Sequence, residues 1–249
     1  MAQLSELRVK LFADGADLGE ILELSQDPLI AGFTTNPTLM RKAGVADYAA
    51  FARRALEVVP DRPIAFEVLA DDFAEIEEQA SVIASWGENV YVKVPITNCQ
   101  GEPSTELLRR LAFLGVKVNA TALMTVEQVE QVRDALAEGV QSFVSLFAGR
   151  IADTGRDPVP MVQEAVGLLG DTPHLELIWA SPRELLNIFQ ADAAGCHVIT
   201  ATPEILRKLA TVGKDLDEFS LETVRMFYRD GQAAGYTLGG AKAASPAQR

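Results

Sequence analysis

The sequence is short of the side chains that most often hold transition metals or cross-link a fold: its 249 residues include 2 histidines, His174 and His197, and 2 cysteines, Cys99 and Cys196. Histidines with no pairing spacing supply a metal site badly, and two cysteines close at most one bridge. The cysteines read as reduced small hydrophobes, and no metal and no cofactor is expected. Positive charge is scarce too, with 22 Lys+Arg against 35 Asp+Glu and a formal net charge of -13. A basic face would have to be assembled from the minority charge, so nucleic acid is not an expected partner. No apolar run approaches the ~18 residues of a membrane span. The start, Met1-Ala2-Gln3-Leu4-Ser5-Glu6, has no export-signal layout. A cytoplasmic protein without membrane association is expected. Neither G-x-G-x-x-G nor a P-loop occurs, which removes the usual nucleotide fingerprints.

What is present is an alternation. Eight runs rich in Val, Ile, Phe and Tyr recur: Val9 to Ala13, Gly32 to Thr34, Pro63 to Leu69, Asn89 to Pro95, Val116 to Ala120, Ser142 to Phe147, Leu175 to Ala180 and His197 to Thr200. Between them apolar residues return every three or four positions, as in Phe73, Ile76, Ala80, Ile83 and Trp86, or Val126, Val129, Val132 and Leu136. Asn36-Pro37, Thr125 with Gln128, Ser181-Pro182 with Glu184, and Thr202-Pro203 read as helix starts. Eight units in 249 residues is about 31 residues each, the length one strand, one helix and two short loops require. The pattern predicts an α/β chain folded as a single (β/α)8 TIM barrel, with an open doubly wound sheet as the alternative. A further helix over Leu216 to Gly235 follows the eighth, near Pro203 to Val212, and is expected to cover a neighbouring subunit or its own barrel. Domain boundaries are placed at 1–237, with a disordered tail over 238–249.

In such a barrel chemistry sits where strands end. Reading round, those ends carry Asp14; Thr34 and Asn36; Glu67; Lys93; Asn119 and Thr121; Ser145 and Arg150; Ser181 and Arg183; Thr200 and Thr202. Lys93 stands inside Val90-Tyr91-Val92-Lys93-Val94-Pro95, a run that reads as buried on both faces. A lysine there loses hydration, which lowers its pKa and favours the neutral amine that attacks carbonyls. The plainer reading is a lysine snorkelling to the rim or paired with Glu67, and the two are compatible. Asp14 precedes Gly15, where a helix N-terminus would favour its anion. Two carboxylates and an amine in one pocket supply a proton acceptor, a relay and a nucleophile, the minimum for Schiff-base chemistry. Arg150 and Arg183, the latter at an expected helix start, offer a phosphate seat, or else pair with Asp153 or Glu184.

Four separated motifs, Gly32-Phe33-Thr34-Thr35-Asn36-Pro37-Thr38, Tyr91-Val92-Lys93-Val94-Pro95, Phe147-Ala148-Gly149-Arg150-Ile151-Ala152-Asp153 and Ala180-Ser181-Pro182-Arg183, occur in an order that resembles the transaldolase family, in the short subfamily shared with fructose-6-phosphate aldolases. The resemblance implies that Lys93 forms an imine with a ketose donor and that Asp14 removes the C4 hydroxyl proton. It also implies that Glu67 and Thr121 hold the water used in carbinolamine dehydration. Thr34 and Phe147 are placed among the substrate-binding residues. Asn36, Asn119 and Ser145 match positions that hold the dihydroxyacetone fragment, and Arg150, Ser181 and Arg183 those that grip the sugar phosphate. Aldolase members carry Gln and Tyr where this chain has Glu67 and Phe147, as transaldolases do. Leu146 departs from the Pro of many members.

The implied function is a class I transaldolase moving dihydroxyacetone from a ketose phosphate to an aldose phosphate, in a homo-oligomer as in short relatives. The alternatives are reversible aldol cleavage, a silent sugar-phosphate-binding barrel, and a metal-dependent aldolase that two unpaired histidines serve poorly.

Overall fold

A computed structural model of the chain describes residues 4–236 and 238. The tail expected over 238–249 lies outside the described residues apart from Leu238. Two compact units are present, one up to Ala210 and one from Thr211.

The first unit is a closed ring of eight parallel strands, each hydrogen-bonded to the next and β1 to β8. In chain order it runs β1 (Lys10–Asp14), α1 (Leu18–Ser25), β2 (Ile30–Thr34), α2 (Pro37–Lys42), α3 (Tyr48–Val58), β3 (Ile64–Glu67), α4 (Phe73–Ala84), β4 (Val90–Pro95), α5 (Thr105–Phe113), β5 (Val118–Leu123), α6 (Val126–Leu136), β6 (Ser142–Leu146), α7 (Ala148–Asp153), α8 (Val159–Leu169), β7 (Leu175–Trp179), α9 (Leu186–Ala193), β8 (Val198–Ala201) and α10 (Pro203–Arg207). This is the (β/α)8 barrel, and the open sheet is set aside by the β1–β8 pairing. The second unit holds α11 (Leu216–Ala233), capped by the Asp215 side chain accepting from the Glu218 N–H, with Lys214 paired to Glu222 and placed 4.8 Å from the Phe219 ring centre. Among the described residues no helix is long and apolar enough to cross a membrane.

Side-chain caps start several helices, α2 and α6 among them where the sequence indicates. Asp17, Asp47 and Asp72 each accept an N–H from the first turn, Thr125 and Gln128 form a reciprocal capping box, and Asn36 caps α2 with Pro37 at its first position. Such caps contribute about 1 kcal/mol each. Two expectations are corrected. Ser181-Pro182 does not open a helix: Ser181 takes a left-handed φ of 61°, and α9 begins only at Leu186. Nor does Asp14 adjoin a helix start, because α1 begins at Leu18 behind its own Asp17 cap.

Side chains alternate across each strand. One set, including Val92, Val94, Leu177 and Trp179, joins the helices in the large outer core. The other set points into the barrel, where Phe12, Ala65, Tyr91, Phe143, Ile178, Ala180 and Val198 form a second cluster. Tyr91 and Phe143 lie with ring centres 4.3 Å apart, and Phe12 meets Phe143 edge-on at 5.5 Å. Their burial is worth about 1.5–3 kcal/mol per large side chain, and it seals the barrel from below.

The scarce residues serve the scaffold. His174 Nε2 lies 2.9 Å from the Leu136 carbonyl, and His197 Nδ1 accepts from the Leu177 N–H. Both cysteines are free; Cys196 is buried, which pushes its thiol up to about 12. Cys99 departs from the expected small hydrophobe: it is exposed, with its N–H donating to Asp71.

Gly32 gives the floor its room. A Cβ there would stand 2.5–2.7 Å from three atoms of the Phe12 ring, which is already buried against Phe143. Gly32→Ala is therefore expected to cost about 1–3 kcal/mol by overpacking, measured as a fall in denaturation midpoint at unchanged m-value.

Candidate active site

Two residues beyond the apolar floor, the inward positions turn polar. Phe12 is followed by Asp14, Gly32 by Thr34, Ala65 by Glu67, Tyr91 by Lys93, Phe143 by Ser145 and Val198 by Thr200. Parallel register sets them side by side: Asp14 opposite Thr34, Glu67 opposite Lys93, Lys93 opposite Asn119, Pro95 opposite Thr121. The result is a cavity of about 540 Å³ at the carboxyl ends of the strands. It brings together the twelve residues given a role from the sequence, Asp14, Thr34, Asn36, Glu67, Lys93, Asn119, Thr121, Ser145, Phe147, Arg150, Ser181 and Arg183, whereas Thr202, also read as a strand end, takes the N-cap position of α10. Two larger hollows, one on α11 and one beside α5, have no comparable convergence of strand-end groups.

Lys93 is 6% exposed. Its ammonium lies 3.0 Å from Glu67 Oε2 and donates to the Thr35 carbonyl at 2.8 Å. Both sequence readings of this lysine meet here, a buried amine that is also an ion-pair partner. Burying two charges consumes hydration that their attraction only partly returns, so the pair is not explained by stability. Tyr48 holds the other end of the arrangement by donating its hydroxyl to the Glu67 carbonyl at 2.6 Å, and burial pushes that phenol well above its ordinary value.

Asp14 accepts a hydrogen bond from Thr34 at 2.8 Å. Burial pushes its carboxyl above the usual range, against the opposing pull of Lys93 and of that hydrogen bond, while Glu67 pushes the same way as burial. An acid so placed exchanges protons nearer neutrality than a free aspartate does. On the far side Ser145 donates to Asn119 Oδ1 at 2.7 Å, while the buried Asn119 Nδ2 and the buried Thr121 hydroxyl have no partner among the described residues. Buried donors of this kind carry a cost that a bound hydroxyl or water relieves. Asn36 divides its duties, since its Oδ1 accepts the Leu39 N–H that starts α2.

The cationic side is built differently from expectation. The Arg183 and Glu184 N–H groups both donate to Asn187 Oδ1, so these two donors are already engaged. The guanidinium of Arg183 instead forks onto Asp153, at 2.9 and 2.5 Å, and donates to Ser181 Oγ at 2.9 Å. That fork holds the Asp153 carboxyl below the usual carboxylate range. Arg150 on α7 sits 5.6 Å from the Phe147 ring centre. The backbone beneath is tight: a Cβ at Gly149 would stand 1.6 Å from the Ser181 carbonyl oxygen, so only glycine fits, and Ser181 and Ala122, both lining the cavity, have left-handed φ of 61° and 65°. Such strain in non-glycine residues concentrates at functional sites.

Several cavity residues were not singled out. Lys42, Thr38, Leu39, Met124 and Ala122 line it without strand-end signals. Thr35 contributes through its carbonyl, which no side-chain pattern reveals. Thr200 is a strand-end residue whose position alone indicates no role.

Comparison with known proteins places these features in a group. The profile of the family described as Transaldolase/Fructose-6-phosphate aldolase matches residues 11–238. A protein of Dehalococcoides mccartyi named probable transaldolase is 32% identical over 202 residues, covering 81% of this chain and 90% of that protein. One of Chelativorans sp., with the same name, is 32% identical over 232 residues, 93% of this chain and 100% of that protein. Solved structures share the fold at low identity: 4-hydroxy-tetrahydrodipicolinate synthase from Methylacidiphilum fumariolicum (14% identity, TM-score 0.55, 92% of this chain, 82% of the other) and 2,3-dimethylmalate lyase (15%, TM-score 0.52, 98% and 89%).

The raised carboxyl of Asp14 has a thermodynamic consequence. A group that binds its proton more tightly when folded costs stability as pH rises from its ordinary to its raised value. Asp14→Asn removes that cost. Its Tm advantage over the wild type is expected to be small near pH 4 and to widen toward pH 8 in a scanning-calorimetry pH series; a gap that narrows with pH would contradict the assignment.

Proposed function

The chain belongs to the transaldolase/fructose-6-phosphate aldolase family, and from that premise we propose that it is a class I transaldolase, which moves a dihydroxyacetone unit between phosphorylated sugars through an imine on Lys93. The observation that carries the proposal is the Lys93 amine, buried in a ring of polar side chains and bonded to Glu67 at 3.0 Å with Asp14 in electrostatic range.

Glu67 takes a proton from the ammonium, and the free amine adds to the C2 carbonyl of a ketose phosphate. Water leaves the carbinolamine, assisted by Glu67 and the Thr121 hydroxyl, which has no partner among the described residues, and a protonated imine remains. Asp14 removes the C4 hydroxyl proton, the C3–C4 bond breaks toward the imine, and an aldose phosphate departs. The three-carbon enamine stays on Lys93 until its C3 attacks an acceptor aldehyde, when Asp14 returns the proton to the new hydroxyl; water then adds to the imine, the Lys93–C2 bond breaks, and the product ketose leaves the free amine. Asn119 and Ser145 suit the hydroxyls of the retained fragment. Arg150, Arg183 and Ser181 suit the phosphate, which would share Arg183 with Asp153 or displace it.

Transfer is favoured over simple cleavage because the retained enamine must escape protonation. Phe147 presents a half-buried ring to the cavity, with no hydroxyl to order water or deliver a proton, and the aromatic floor closes the site from below.

Borohydride added during turnover with fructose 6-phosphate and erythrose 4-phosphate is expected to leave a stable mass increment on the peptide holding Lys93, absent in Lys93→Met. An unmodified Lys93 in an active preparation would reject the imine. With donor alone, consumption is expected to stop near one equivalent per site; continued release of free dihydroxyacetone would instead assign reversible aldol cleavage.

A further inference from the structure

Thr200 on β8 is a buried hydroxyl with no role in the scheme above. Its Oγ1 lies 2.6 Å from Thr34 Oγ1, which in turn lies 2.8 Å from Asp14 Oδ1. The two threonines are 166 residues apart and meet only because β1, flanked by β2 and β8, closes the barrel. Valine would fill the Thr200 position equally well, so a hydroxyl there calls for a reason beyond packing.

The proton count fixes the direction of this chain. An ionised Asp14 can only accept, so Thr34 must spend its single hydroxyl proton on Oδ1. Thr34 then has only lone pairs to offer Thr200, and Thr200 must be the donor. A donor behind Thr34 polarises its hydroxyl and strengthens the bond it makes to the carboxylate. If Thr34 turned to donate to Thr200 instead, Oδ1 would lose its partner inside the barrel. The chain also leaves Oδ2 for a substrate hydroxyl.

We propose that Thr200 is a positioning residue that locks the hydrogen-bond chain Thr200 to Thr34 to Asp14 in one direction, and so keeps Asp14 as an oriented, ionised proton acceptor. This rests on Asp14 being the base of the proposed transfer reaction. The charged groups facing Asp14 are Lys93 from β4 and Glu67 from β3, and neither contacts Thr200 by a hydrogen bond, so a change at Thr200 reaches Asp14 through Thr34.

The test reads Asp14 directly. Protein labelled with carboxyl-13C aspartate is titrated by NMR, with the Asp14 resonance identified by its loss in Asp14→Asn. Thr200→Val is expected to raise the Asp14 titration midpoint by about 0.5–1 unit, and Thr200→Ser to restore it to within about 0.2 unit. In kinetics, the acid limb of kcat/KM for transfer moves by the same amount in Thr200→Val, with donor KM nearly unchanged. Thr200→Cys, whose thiol is a feeble donor of similar size, shows the same upward direction and decides the matter if the valine variant does not fold. An unshifted midpoint in these variants, or a serine variant displaced as far as valine, overturns the proposal. The NMR titration needs no substrate. A failure of imine trapping would therefore refute the transfer reaction and leave this result to be judged by itself.

Discussion

The organising constraint is that a closed ring of eight short strands has one interior, and every second side chain must share it. The chain meets this by layering. Phe12, Tyr91 and Phe143 fill the lower level, and two residues further along each strand the same geometry lifts Asp14, Glu67, Lys93 and Ser145 to the upper one. The apolar layer stabilises the barrel, and it also keeps water from reaching the polar layer from beneath. The cost of burying Lys93 against Glu67 is thus borne by a fold whose stability comes from elsewhere.

That arrangement explains why the polar side chains touch one another so economically. Lys93 has two acceptors, Glu67 and the Thr35 carbonyl; Asn119 uses its oxygen on Ser145; Asp14 has Thr34, and Thr34 has Thr200. These bonds fix the side chains while leaving the Asn119 amide nitrogen and the Thr121 hydroxyl without a partner among the described residues. Preorganisation of this sort reduces the rearrangement needed when charge moves during reaction. The cationic rim follows another logic: it is exposed, held by Asp153 and Ser181, and rests on a backbone crossing so close that position 149 admits only glycine.

Much of this is legible in the sequence because it depends on local periodicity. A two-residue alternation within a strand states which side chains share a face, and a lysine in the middle of Val92 and Val94 is conspicuous in any setting. Helix caps at Asn36, Thr125 and Thr202 were legible for the same reason. Ser181-Pro182 misleads because a serine before proline resembles a cap, whereas Ser181 takes a left-handed φ beside Gly149, whose missing Cβ admits the Ser181 carbonyl, and α9 begins only at Leu186. The sequence offers Arg183 both Asp153 and Glu184, and the fold pairs it with Asp153 on α7.

From the sequence alone came the eight strand-and-helix units, their order, and the identity of the residues at the strand ends, since those follow from patterns a few residues long. Tertiary structure decided which of those residues meet. Closure laid β8 against β1 and so put Thr200 behind Thr34; it aligned Glu67 with Lys93 and Lys93 with Asn119. No local signal encodes such pairings, because register between strands is set by how a whole ring of side chains packs into a single interior.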